Sequence, residues 1–80
     1  MAMRINTRYG ESDQTLVLLV DEASDTVTYL GYAAPGALVT EARWRIIRIL
    51  LSGNVREVRW ADGDDKFDNI WSDRAGLTYL

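Results

Sequence analysis

The chain has 80 residues, a net charge of −3, 48% hydrophobic residues, and neither cysteine nor histidine. Composition therefore excludes disulfides, zinc sites of the Cys/His type and histidine acid–base chemistry, and the mild acidity gives no electrostatic footprint for DNA or RNA. No apolar run approaches the roughly 18 residues that cross a bilayer as a helix, and the polar opening MAMRINTRYG has no signal-peptide pattern. A domain of this size buries a modest share of its surface. With disulfides and metals removed, assembly with other chains is the remaining source of support.

Residues 1–14 are polar and turn-rich and are expected to form an N-terminal arm, leaving 15–80 as a single small domain. Thr15 to Val20, TLVLLV, is a near-continuous apolar run. It is too short for a comfortable helix and fits a strand buried on both sides. The acidic stretch Asp21 to Asp25 reads as a turn. Thr26 to Tyr32, TVTYLGY, is rich in β-branched and aromatic residues and predicts a second strand that pairs with the first as a hairpin. Val27 and Tyr29 would share one of its faces, Leu30 and Tyr32 the other. Gly31 inside it implies a bulge or a close approach of another group to the backbone. Pro35-Gly36 fits the central positions of a type II turn.

Arg43 to Ala61, RWRIIRILLSGNVREVRWA, holds two of the three tryptophans and the arginines 43, 45, 48, 56 and 59. It predicts a β-hairpin about Ser52-Gly53-Asn54. With Gly53-Asn54 as a two-residue loop, Ile49 faces Val58 and Ile47 faces Trp60. One face then carries Ile47, Ile49, Leu51, Val58 and Trp60, with Trp60 expected in the core. The other carries Trp44, Ile46 and Leu50 with Arg48, Glu57 and Arg59. Arg48 is then set opposite Arg59, with Glu57 on a diagonal that could relieve the pair. The competing reading is a helix over 41–52, capped by Thr40, with Ala42, Ile46, Ile47, Leu50 and Leu51 as its apolar stripe. The β-branched content and the partner run Val55 to Ala61 favour the hairpin.

Asp62, Asp64, Asp65 and Asp68 form the chain's carboxylate cluster. An EF-hand loop started at Asp62 would put Lys66 where an oxygen ligand belongs and Phe67 where the glycine belongs, so the pattern fails. The stretch is expected to be an acidic loop in which Asp68 or Asn69 caps a short helix. Phe67, Ile70, Trp71 and Arg74 have helical spacing, and Gly76 would end one or two helical turns. Leu77 to Leu80 fits a final strand or clasp. The expected fold is thus mainly β, a small antiparallel sheet or barrel-like domain of two hairpins with a short C-terminal helical turn; the alternative is α+β.

The segments YLGYAAPG (Tyr29 to Gly36), W-x-I-x-x-I (Trp44 to Ile49) and WADGDDKFDNIWSDRAGLTY (Trp60 to Tyr79) resemble a family of small structural, virion-associated proteins of tailed bacteriophages. The likeness covers about residues 29–79. It implies a hairpin over Arg43 to Ala61, although here that hairpin is more apolar and richer in arginine than the family pattern. It also implies a non-enzymatic virion component, made in the host bacterial cytoplasm. The component would be a capsid decoration or cement protein, or a tail or fibre attachment module. It brings no catalytic, cofactor-binding or metal residues. The implied partners are capsid, connector or fibre proteins and further copies of the chain; the sequence itself points to no membrane, and its net acidity argues against nucleic acid. Tyrosine, tryptophan and arginine are enriched at interface centres, so the candidate interface residues are Tyr29, Tyr32, Arg43, Trp44, Arg45, Trp71 and Tyr79. For each aromatic the alternative is the domain's own core. A small phage-encoded module that binds a host protein or nucleic acid is the second expectation, the latter from the arginine–tryptophan interleaving of the hairpin.

Overall fold

The computed structural model describes residues 15–80. The expected arm at 1–14 lies outside the described residues. Strands β1 (Val17–Glu22), β2 (Val27–Ala33), β3 (Ala42–Ser52) and β4 (Val55–Trp60) form an antiparallel sheet in chain order. The short β5 (Asn69–Ile70) adds to β3, and a 3₁₀ helix, Trp71–Gly76, follows it directly. The fold is mainly β, as the sequence implied, and the helix over 41–52 does not form. The sheet is open: β1 and β4 are its edges among the described residues, so it is not a barrel.

Both hairpins follow from their turns. Ser52 pairs with Val55, and Gly53 sits at φ 61° while Asn54 stays out of the left-handed region. This is the type II′ pattern, whose twist suits a two-residue β-hairpin. The register is therefore the expected one, with Ile49 opposite Val58, Ile47 opposite Trp60 and Arg48 opposite Arg59. Glu57 relieves the arginine pair by binding Arg59 (Nε to Oε1, 3.3 Å) rather than Arg48, while the Arg48 guanidinium lies 4.9 Å from the Tyr79 ring centre. The β1–β2 turn is closed by Ser24, whose Oγ accepts from the amides of Thr26 and Val27. The β1 strand runs to Glu22, past the expected turn start, and is not buried on both sides: Val17, Leu18 and Val20 on this edge strand are exposed.

The core lies on one face of the sheet. Alternation puts Leu19, Val27, Tyr29, Gly31, Ala33, Trp44 and Ile46 on that face. The C-terminal segment folds over it, bringing Trp71 and Tyr79 into the same cluster. Gly31 makes this possible. A Cβ built there would stand 2.4 Å from Trp71 Cε3 and 3.2 Å from Trp44 Cε3. The expectation of a close approach is thus met by an indole, without a bulge. Trp71 tilts against Trp44 at 6.0 Å between ring centres, a geometry worth about 0.5–1.5 kcal/mol beyond area burial. The Trp44 indole N–H donates to Leu38 O at 2.9 Å, and Ser72 N donates to Val39 O at 3.0 Å. These two bonds fasten the β2–β3 connection to the core, after a Pro35-Gly36 type II turn closed by Ala37 N to Ala34 O.

The route back to the sheet is set by Asp62-Gly63. Both have positive φ (61° and 75°), and Asp64 N reaches Ala61 O at 3.4 Å. This is a type I′ arrangement, for which Asp-Gly is a preferred pair. Asp64 then accepts from Lys66 N. The 3₁₀ helix begins at Trp71, later than expected, and ends at Gly76. Its N-cap residue is Ile70, with no side-chain capping bond; the expected cap by Asp68 or Asn69 is incorrect, because Asn69 is used as a buried strand residue instead. Ala61 and Tyr79 form a bridge, and Leu80 N donates to Trp60 O, so the last residues clasp the sheet.

Adding one methyl at Gly31 pushes an indole off a well-packed face, and such overpacking costs about 1–3 kcal/mol. We expect Gly31→Ala to lower the unfolding free energy by that amount, and the urea midpoint with it, in urea denaturation followed by tryptophan fluorescence. An unchanged midpoint would mean that Trp71 does not seat on Gly31.

Candidate functional site

The two faces of the sheet have different fates. The covered face holds the core described above. The other carries Leu18 and Val20 from β1, Leu30 and Tyr32 from β2, Arg45, Ile47, Ile49 and Leu51 from β3, and Val58 and Trp60 from β4. Among the described residues no element crosses this face. A one-sided antiparallel sheet ordinarily alternates apolar inside with polar outside. Here the outside is apolar as well: Leu18 is 50% exposed, Val20 54% and Val58 57%. At its centre Ile47 is shielded by its neighbours to 7%. A contiguous apolar patch of this kind is a candidate interaction surface.

Each end of the patch has a distinct chemistry. At the end carrying both hairpin turns, a shallow cleft of ≈ 440 Å³ is lined by Glu22, Asp25, Thr28, Ile49, Leu51 and Arg56, among others. At the opposite end a second cleft of ≈ 420 Å³ is lined by Thr15, Leu16, Ala34, Arg43 and Phe67. Beside it the Arg45 guanidinium is packed among three rings, 5.1 Å from the centre of Tyr32, 5.6 Å from Trp60 and 4.7 Å from Phe67. Its Nε is buried without a hydrogen-bond partner, so the planar cation is held by aromatic faces instead.

Of the residues expected at an interface, Tyr29, Trp44, Trp71 and Tyr79 are placed in the domain's own core, at 9%, 2%, 7% and 8% exposure. Tyr32 and Arg45 meet on the open face. Arg43 is exposed at the edge of the second cleft, 3.7 Å from Glu41. The patch is the Ile47, Ile49, Leu51, Val58 and Trp60 side of the hairpin, which the sequence pattern alone makes as good a core as the side that is covered. Trp60, expected in the core, is half-buried on the open face and outside the core cluster. The signal that separates the two sides is Gly31, which shares its face with Trp44 and can admit an indole only there.

Three of the aspartates have structural partners. Asp64 closes a turn, Asp68 accepts from Asn69 Nδ2, and Asp21 holds Arg74 Nε at 2.9 Å. Arg74 also donates to Trp71 O and lies over the Trp71 ring at 4.5 Å, locking the 3₁₀ helix to β1. Among the described residues no group of three or more acidic side chains could hold a metal ion.

No protein-family model matches this chain, and no curated protein or solved structure matches it either.

Burial, followed by the neighbouring Tyr29, pushes the Tyr79 hydroxyl up to about 12; Arg48 and Arg74 act in the opposite direction. The hydroxyl donates to Arg74 O at 2.8 Å. A folded-state value above the unfolded one means that the stabilisation is complete below pH 10 and is lost as pH rises toward 12. We expect the urea midpoint to fall between pH 10 and 12 more steeply than in Tyr79→Phe, which lacks the titrating group. Equal slopes in the two proteins would contradict the burial of this hydroxyl.

Proposed function

We propose that this chain is a non-enzymatic structural component of a tailed-bacteriophage virion that works by protein–protein contact. It attaches in many copies to a capsid, connector or fibre protein through the open face of its sheet. The observation that carries this reading is the apolar open face, on which Leu18, Val20 and Val58 are exposed beside the half-buried Leu30, Ile49 and Trp60, and which would be polar in a sheet adapted only to water. The bacteriophage assignment is supported by the resemblance of Tyr29 to Gly36, Trp44 to Ile49 and Trp60 to Tyr79.

The segments behind that resemblance supply both faces: Gly31, Trp44, Trp71 and Tyr79 on the covered side, and Leu30, Tyr32, Ile49 and Trp60 on the open side. The reading as a nucleic-acid binder loses support from Arg45. Its guanidinium covers the faces of Tyr32, Trp60 and Phe67, the surfaces on which bases would stack. A host protein as partner would use the same apolar face.

The test is co-sedimentation of the purified chain with particles of a phage that encodes it. We expect saturable capture, reduced at least tenfold by Val58→Asp, with the far-ultraviolet circular dichroism unchanged because Val58 is 57% exposed. Capture that is absent, or indifferent to Val58→Asp, would sink the proposal.

A further inference from the structure

We infer that in the free protein the open face is covered by a second copy of this chain, in a twofold, face-to-face sheet sandwich. The inference rests on the proposed use of that face for protein contacts and names its first occupant. Three observations lead to it.

The first is shape. Four adjacent strands present a face roughly 20 Å square, given strand spacing of about 4.8 Å and a rise of about 3.3 Å per residue. Two such faces pack at about 10 Å separation with strands aligned to within about 30°. A twisted open sheet is complementary to itself in this arrangement, so no new shape is required of the partner.

The second is charge. Both hairpin turns lie at the same end of the sheet, because Val27 pairs with Leu50 and Ser52 with Val55. At that end the open face carries Glu22 and Asp25 on the β1 side and Arg56 on the β4 side, around one cleft. A twofold axis between the faces and parallel to the strands lays β1 of one copy over β4 of the other. It opposes Val20 to Trp60 and brings each acidic corner to the other copy's arginine corner, twice. An axis running across the strands would lay β1 over β1 and bring no such pairs together. The charge layout therefore selects one twofold arrangement, the self-complementary pattern that a closed dimer needs.

The third is size. Stable interfaces bury about 800 Å² per partner, and a face roughly 20 Å square, about 400 Å² in outline, falls below that scale, in the range of weak, transient contacts. The dimer is therefore reversible, which lets the same face exchange a copy of itself for a site on a larger assembly.

Analytical ultracentrifugation of the full chain over a concentration series reads this directly. We expect a monomer–dimer equilibrium in the micromolar range. Val58→Asp should make the protein monomeric at every concentration. Glu22→Arg and Arg56→Glu should each weaken the dimer about tenfold, and the combined variant should recover most of the loss. A wild-type monomer at all concentrations would overturn the inference, and so would a dimer that ignores Val58→Asp. Failure of the double reversal to recover would overturn the strand-parallel axis. A monomer that particles still capture in a Val58-dependent manner would remove the second copy and leave the proposed function intact. A dimer that particles ignore would do the reverse. A monomer that Val58→Asp unfolds would put the chain's own residues 1–14 on the face, again overturning the inference.

Discussion

The missing side chain at Gly31 is the constraint on which the rest of the structure depends. Trp71 can lie on the sheet only because no Cβ occupies that point. Once seated, its ring fixes Trp44 beside it, its backbone fixes Arg74, and Arg74 reaches across to Asp21 on β1. The 3₁₀ helix therefore needs neither a side-chain cap nor length. Tertiary contacts hold it, as is usual for helical segments too short to be stable alone. The same seating draws the following residues over the sheet until Tyr79 packs on Tyr29 at 5.9 Å and bridges to Ala61. One glycine thus decides which face of the sheet is covered.

Arginine solves a second problem that this arrangement creates. Strands β3 and β4 carry cations at 43, 45, 48, 56 and 59, and strict pairing sets Arg48 against Arg59. Like charges directly opposed destabilise a sheet. The two side chains are therefore sent to different partners: Arg59 to Glu57, and Arg48 to the ring of Tyr79. Arg45 does the same on the other face, among Tyr32, Trp60 and Phe67. A guanidinium suits this use because it is planar and weakly hydrated, and it covers aromatic surface while keeping its charge. A lysine ammonium has neither property. Arg45 and Arg48 are thus spent on internal packing against rings, while Arg43, Arg56 and Arg59 stay exposed.

The strand register was legible in the sequence because it depends on local chemistry. Gly53-Asn54 can close a two-residue loop in few ways, and the loop dictates every pair from Ser52–Val55 to Ile47–Trp60. The Pro35-Gly36 turn and the close approach at Gly31 were legible for the same reason. What local pattern could not supply was the sidedness of the sheet. Both faces of the β3–β4 hairpin are apolar enough to be a core, and the side with Ile47, Ile49, Val58 and Trp60 is the more uniform of the two. The choice is made by Trp71, forty residues from Gly31, through a contact that leaves no periodic signal. The same long-range docking explains the brief β5 strand, and it explains why four of the expected interface aromatics are core. The type I′ turn at Asp62-Gly63 did have a local signal. It was obscured by the surrounding carboxylates, which suggest a cation loop before they suggest a turn.

Sheet proteins become stable by burying each apolar face against another layer. This chain supplies one such layer from its own C-terminal segment and leaves the second face uncovered among its described residues. The two faces are therefore under different demands. Substitutions at Gly31, Trp44 or Trp71 act on whether the sheet is closed at all, because they alter a contact made within one chain. Substitutions at Leu18, Val20 or Val58 leave those contacts alone and act on what meets the chain from outside. An exposed apolar face favours aggregation as well as binding, and its retention is explained most simply by an occupant that covers it. The charged corners Glu22, Asp25 and Arg56 then have a definite role at the margin of that contact. They add little to its strength, since exposed ion pairs are worth about 0–1 kcal/mol, but they distinguish one orientation of the partner from another.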